Sequence, residues 1–156
     1  MAKARIVVRA EALIEALETG HPDVEWVLDL RTGEVSGLFD PEMSGEEADA
    51  LLRQTIEGDP ARFVFIDPIP SHESFRAMKR FTEALPAGPS CTALLLALRL
   101  KHPFRTFKDT LVSYPHIRED WFRFKDEWLM ACAREWLSSN VPNATLVTGP
   151  VPTGEA

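Results

Sequence analysis

The sequence predicts an α+β fold: a small three-stranded antiparallel sheet in the first half and a helical cluster forming the C-terminal half. Three observations carry this. Strand-like runs occupy Glu25–Leu30, Glu34–Phe39 and Arg62–Ile66, with short breaker segments between the elements. From Ser71 to Ser139 the apolar residues recur only at helical spacing. The 156 residues are 45 % hydrophobic, enough to build a core without disulfide or metal staples.

The elements follow in order. Ala10, Leu13, Ile14 and Leu17 recur at helical spacing, and Gly20 with Pro22 ends the pattern. Trp26, Leu28 and Leu30 then alternate with Glu25, Val27 and Asp29, and Thr32-Gly33 supplies the hairpin, since glycine takes the positive φ a tight turn requires. Asp40-Pro41 closes the second strand. Ser44 and Glu47 form a capping box ahead of a helix whose face is Ala48, Leu51, Leu52, Thr55 and Ile56. Arg-Phe-Val-Phe-Ile (62–66) is apolar on both sides, which predicts a strand covered on both faces. Asp67-Pro68-Ile69-Pro70 breaks it.

Ser71 is placed to cap a helix carrying Phe75, Met78, Phe81 and Leu85. Cys91, Leu94, Leu95 and Leu98 mark a second helix, and Phe104, Phe107 and Leu111 a short third one before Tyr114-Pro115. The last runs from His116 to Ser139. On it Ile117, Phe124, Trp128, Cys132 and Trp136 fall within about 60° of Trp121, which predicts a core stripe with three tryptophans. Cys91 and Cys132 lie on apolar stripes and read as small buried hydrophobes. We expect one globular domain over residues 1–141 and a flexible tail of Pro, Gly and Thr over 142–156.

Charge narrows the function classes. With 17 Lys+Arg against 24 Asp+Glu the net charge is −7. The longest apolar run is Ala93–Leu98, and Ile6-Val7-Val8 is too short for a signal peptide, so a soluble cytoplasmic protein is expected. The charge is uneven: residues 1–78 carry −9 and residues 79–156 carry +2. Residues 76–108 hold Arg76, Lys79, Arg80, Arg99, Lys101, Arg105 and Lys108 against Glu83 alone, net +6. Local pairing accounts for part of this, through Lys79 with Glu83 and Arg105 with Asp109 at i, i+4. Arg99 and Lys101 suit the last turn of a helix, where cations complement the dipole. Lys108 and Lys125 each fall about 40° from the centre of an aromatic stripe, as snorkelling or pocket-lining side chains do.

Signatures of catalysis are sparse. The chain has no G-x-S-x-G, H-E-x-x-H, P-loop or dinucleotide fingerprint. His21, His72, His102 and His116 are never paired at i, i+4, and neither a metal nor a cofactor is expected. Asp67 and His72 flank a rigid turn and could serve acid–base chemistry, but a turn cap and a helix-start residue explain them more simply.

Two further series point to a family. Phe104-Arg-Thr-Phe-Lys-Asp109 continues through Leu111, Tyr114-Pro115, Trp121-Phe122 and Ala133-Arg-Glu-Trp-Leu137; upstream stand Leu28-Asp-Leu-Arg-Thr-Gly-Glu-Val35 and Phe65-Ile-Asp-Pro-Ile69. The pattern resembles the bacterial uncharacterised protein family 0158 over residues 9 to 141. That resemblance implies the boundaries and organisation of the chain but no reaction or ligand.

The residues therefore favour a non-catalytic binding module in which Arg76, Arg80, Arg99, Lys101, Arg105 and Lys108 receive an acidic protein segment or a phosphate-bearing small ligand. Single-stranded nucleic acid is secondary, because Phe104 and Phe107 stand at core spacing and the whole chain is acidic. The alternatives are a small enzyme acting on a phosphorylated substrate and a self-associating structural protein, with the acidic half of one copy meeting the basic stretch of another.

Overall fold

A computed structural model describes residues 6–20, 23–39 and 47–149. His21, Asp40-Pro41 and the Ser44 capping hydroxyl fall outside these residues. Five strands and six α-helices are present among the described residues, in the order β1 (Ile6–Arg9), α1 (Ala10–Glu18), β2 (Val24–Asp29), β3 (Val35–Phe39), α2 (Glu47–Gly58), β4 (Phe63–Ile66), α3 (Ser71–Glu83), α4 (Pro89–Ala97), α5 (Pro103–Leu111), α6 (Pro115–Asn140) and β5 (Ala144–Val147). The fold is α+β, and the expected sheet is there. The chain divides into two compact units, residues 1–69 with 130–156, and residues 70–129.

In the first unit the three-stranded sheet has the order β3-β2-β4 and is antiparallel throughout. Leu28 sits opposite Val35 on one side and Val64 on the other. Side chains alternate across a strand, so β2 serves two cores. Leu28 and Ile66 join Val8, Leu13, Leu17, Ala133, Leu137 and Val141. Val27 faces the other way with Leu38 and Phe63, where Leu52 and Ile56 of α2 pack. The covering of β4 is uneven: Phe63 and Ile66 are buried and Phe65 is exposed.

The hairpin forms as its chemistry predicts. Gly33 has φ +80°, its N–H donates to the Asp29 carbonyl at 2.7 Å, and Asp29 N–H donates to the Glu34 carbonyl at 2.9 Å. Gly33 is required for a second reason: a Cβ there would run into the Val7 carbonyl oxygen. Asp29 also accepts from Arg62, Nε to Oδ1 at 2.9 Å and Nη2 to Oδ2 at 2.7 Å, and from the Arg31 N–H. These Arg62 bonds outweigh the opposing cost of burial and hold the Asp29 carboxyl below the ordinary carboxylate range.

One expectation changes at the C-terminus. Ala144–Val147 is a strand and not part of a flexible tail: it pairs in parallel with β1, Ile6 opposite Ala144 and Val8 opposite Leu146. Four residues are too few to show a period, and the strand's partner lies at the other end of the chain. Gly149 N–H then donates to Glu11 Oε1 at 2.7 Å, which lowers the Glu11 carboxyl pKa.

Proline punctuates the second unit, opening α4, α5 and α6 at the position where its missing N–H costs nothing. Ser71 is already helical; Pro70 precedes it at the cap position and no side chain caps α3. The core is Met78, Phe81, Leu94, Leu98, Phe107, Leu111 and Trp121. Trp121 meets Phe81 and Phe107 edge-on, with ring centroids 5.3 and 5.1 Å apart. Buried Thr82 is satisfied by donating to the Met78 carbonyl at 2.8 Å.

The tryptophan stripe on α6 is only partly a core stripe. Trp121 is buried, whereas Trp128, Cys132 and Trp136 are half-buried. The buried positions further along are Leu129, Ala133 and Leu137, spaced by four. Cys132 and Trp136 pack against the edge of the first unit's core, while Ala133 and Leu137 take its buried places. Cys91 is likewise half-buried, with its Sγ 3.5 Å from the Thr82 carbonyl.

Candidate functional site

All six predicted basic side chains lie in the second unit and all are exposed. Arg76 and Arg80 stand on α3. With Glu73, Lys79 and Glu83 they line a shallow depression of about 390 Å³. It is largely self-compensated: Arg76 Nη1 lies 3.4 Å from Glu73 Oε1 and Lys79 Nζ 3.9 Å from Glu83 Oε1. Such exposed pairs contribute about 0–1 kcal/mol to stability, so these cations remain available to a partner.

The other four lie in the turn between α4 and α5 and on α5. Arg99 and Lys101 fall beyond the end of α4 at Ala97, so they do not complement its dipole from the last turn. The chain there makes a tight turn, with Arg99 N–H donating to the Leu96 carbonyl at 3.0 Å and Leu100 N–H to the Ala97 carbonyl at 3.3 Å. His102 follows with φ 55° and ψ 59°, a left-handed conformation uncommon for a residue with a Cβ. The Thr106 hydroxyl faces both the Lys101 and His102 carbonyls at 3.2 and 3.0 Å and secures this reversal. Arg105 and Lys108 follow on α5.

Arg80, Arg99, Lys101, Arg105 and Lys108 make no ion pair among the described residues. The expected Arg105–Asp109 pair does not form there. The two phenylalanines of this stretch part company: Phe107 is wholly buried in the aromatic core, and Phe104 is exposed. Lys108 projects into solvent, and Lys125 is half-buried.

Asp67 is exposed on the segment after β4, and the exposed His72 lies 3.4 Å from Glu73 through its Nε2. Among the described residues no three His, Cys, Asp or Glu side chains are grouped to hold a metal ion. No helix among them is long and apolar enough to cross a membrane. A second cavity, of about 440 Å³, is lined by Pro89, Ser90, Ser113, Tyr114, Pro115, His116 and Ile117 and contains none of the six basic residues.

Residues 3–147 match the model of the uncharacterised protein family UPF0158. The chain belongs to this family. A UPF0158 protein of Pseudomonas aeruginosa is 33 % identical over 135 residues, covering 86 % of this chain and 84 % of that protein. No solved structure matches. The series that signalled UPF0158 membership acquire physical roles in the fold. Leu28–Val35 is the hairpin with the Asp29 ion pair and Gly33. Phe104–Asp109 is a helix that buries Phe107 and exposes Phe104, Arg105 and Lys108.

Sequence reasoning missed the Asp29–Arg62 pair, whose members are 33 positions apart. An acidic residue in β2 was visible, but only the pairing of β2 with β4 brings Arg62 to it. It also misses the exposed leucines of α4, because helical spacing places Leu95 on the same stripe as Leu94 and Leu98.

Proposed function

We propose that this protein is a small non-catalytic binding module whose helical unit receives an anionic ligand, an acidic protein segment or a phosphate-bearing molecule. The observation that carries the reading is the set Arg80, Arg99, Lys101, Arg105 and Lys108, exposed and without ion pairs among the described residues. Exposed cations that are not engaged in ion pairs raise the potential at the surface and attract anions. The test is calorimetric titration of polyglutamate and of inorganic pyrophosphate into the full chain at low and at physiological salt. The expected result is binding at low salt that weakens steeply as salt rises, and its loss in the triple variant R99E/K101E/R105E. No binding of either probe at low salt overturns the reading.

A further inference from the structure

The second half of helix α4, residues 93–97, is apolar on every side and not along one stripe, in the sequence Pro-Ser-Cys-Thr-Ala-Leu-Leu-Leu-Ala. At about 100° per residue Leu94, Ala97 and Leu98 share a face, and all three are buried. Leu95, Leu96 and Leu100 face away from that core and are 37, 57 and 49 % exposed. Leu96 stands in the last turn of the helix and Leu100 in the tight turn that follows it, with exposed Arg99 between them in the chain. Past the left-handed His102, Phe104 is 39 % exposed and Arg105 is exposed next to it. A helical stretch that is apolar on every side belongs in an interior, and this one has an interior on one side only.

The charges around the uncovered side define its occupant. Arg99, Lys101 and Arg105 make no ion pair among the described residues. A bare anion would leave the leucines in water, and a neutral apolar surface would strip the guanidinium groups of solvent without pairing them. The partner must supply carboxylates and apolar side chains together. An anionic bilayer offers both chemistries, but it is an extended surface that meets the repulsion of a chain with net charge −7. A short segment interacts only with charges within about 10 Å at moderate salt.

We propose that Leu96, Leu100 and Phe104, flanked by Arg99, Lys101 and Arg105, form the docking face for an acidic amphipathic segment of a partner protein. The proposal rests on the binding reading above and specifies its partner. Apolar side chains of the segment cover the leucines and Phe104, and its carboxylates pair with the flanking cations.

Two synthetic peptides of equal negative charge test this, one with leucines at i, i+3, i+4 and i+7 among glutamates, the other with glutamine at each leucine. Fluorescence anisotropy with the full, unaltered chain should show the leucine peptide binding about tenfold tighter or better. The double variant L96S/L100S should bring both peptides to the same affinity. Because the peptide comparison uses the unaltered chain, it holds even if a variant folds poorly. Equal affinity for the two peptides overturns the amphipathic face and leaves the anion-binding reading standing. Failure of both peptides to bind overturns the docking face, and the anion-binding reading falls with it only if polyglutamate and pyrophosphate also fail to bind at low salt. Binding to phosphatidylserine vesicles with no peptide binding, or a dimer in sedimentation that L96S/L100S abolishes in place of peptide binding, also overturns the proposal.

Discussion

The two units of this protein are held together by different means. Residues 1–69 with 130–156 carry 7 basic and 17 acidic side chains; residues 70–129 carry 10 basic and 7 acidic. The acidic unit is knit by backbone register and by a few exacting polar contacts: the β3-β2-β4 ladder, the two-pronged Arg62–Asp29 pair and the Gly33 backbone packed on Val7. The basic unit is built on an aromatic cluster, with Trp121 touching Phe81, Phe107 and Phe124. An aromatic core needs few polar partners, and the surface around it is left free to carry leucines and unpaired cations. Architecture and surface chemistry are thus coupled.

Substitutions can break this contrast. The largest effect is expected from Phe107→Ala, which removes the ring at the centre of the aromatic core; urea unfolding should show a loss of about 3–5 kcal/mol. A loss below about 1 kcal/mol would mean that the aromatic contacts do not hold the second unit. Gly33→Val combines a β-branched side chain at φ +80° with a collision against the Val7 carbonyl, and should cost on the order of 3 kcal/mol. A mild phenotype there would show that the approach of β1 to the hairpin is dispensable.

Asp29→Asn sharpens the role of polar contacts. The Asp29 carboxyl titrates below its ordinary value in the folded chain, so its pairing with Arg62 stabilises the fold above the ordinary carboxylate range. That stability is lost as pH falls through the folded value. The variant should lose about 2 kcal/mol at neutral pH, and its deficit against the parent should close on acidification. A deficit independent of pH would assign the effect to shape and not to charge.

Smaller effects belong to the helical surface. His102→Val places a β-branched residue in the left-handed region and should lower stability by about 1 kcal/mol, read as a shift in melting temperature. Arg99→Ala with Arg105→Ala should change stability by less than about 0.5 kcal/mol while weakening anion binding. A large loss of stability in that double variant would place these arginines in the architecture and sink their assignment to a partner.

Short-range pattern made most of the fold legible. The Thr32-Gly33 hairpin, the strands on either side of it and the proline-bounded helices all rest on chemistry contained within a few neighbouring residues. The β1–β5 ladder did not, since Ile6–Arg9 and Ala144–Val147 are short, lack a distinctive period and find each other across nearly the whole chain. The candidate site was legible in the same partial way. Composition marks the basic stretch, whereas core spacing places Leu95 and Phe104 in the interior and both are exposed.

The sequence by itself determined the α+β order of elements, the positive-φ turn at Gly33 and the concentration of positive charge between Arg76 and Lys108. Each depends on local backbone preference or on residue type alone. Only the tertiary structure decided which side of an all-apolar stretch such as the second half of α4 is inside, that Arg62 answers Asp29, and that Phe107 is core while Phe104 is surface. An apolar side chain records a preference for burial, and which side chains achieve it depends on the neighbours that packing supplies.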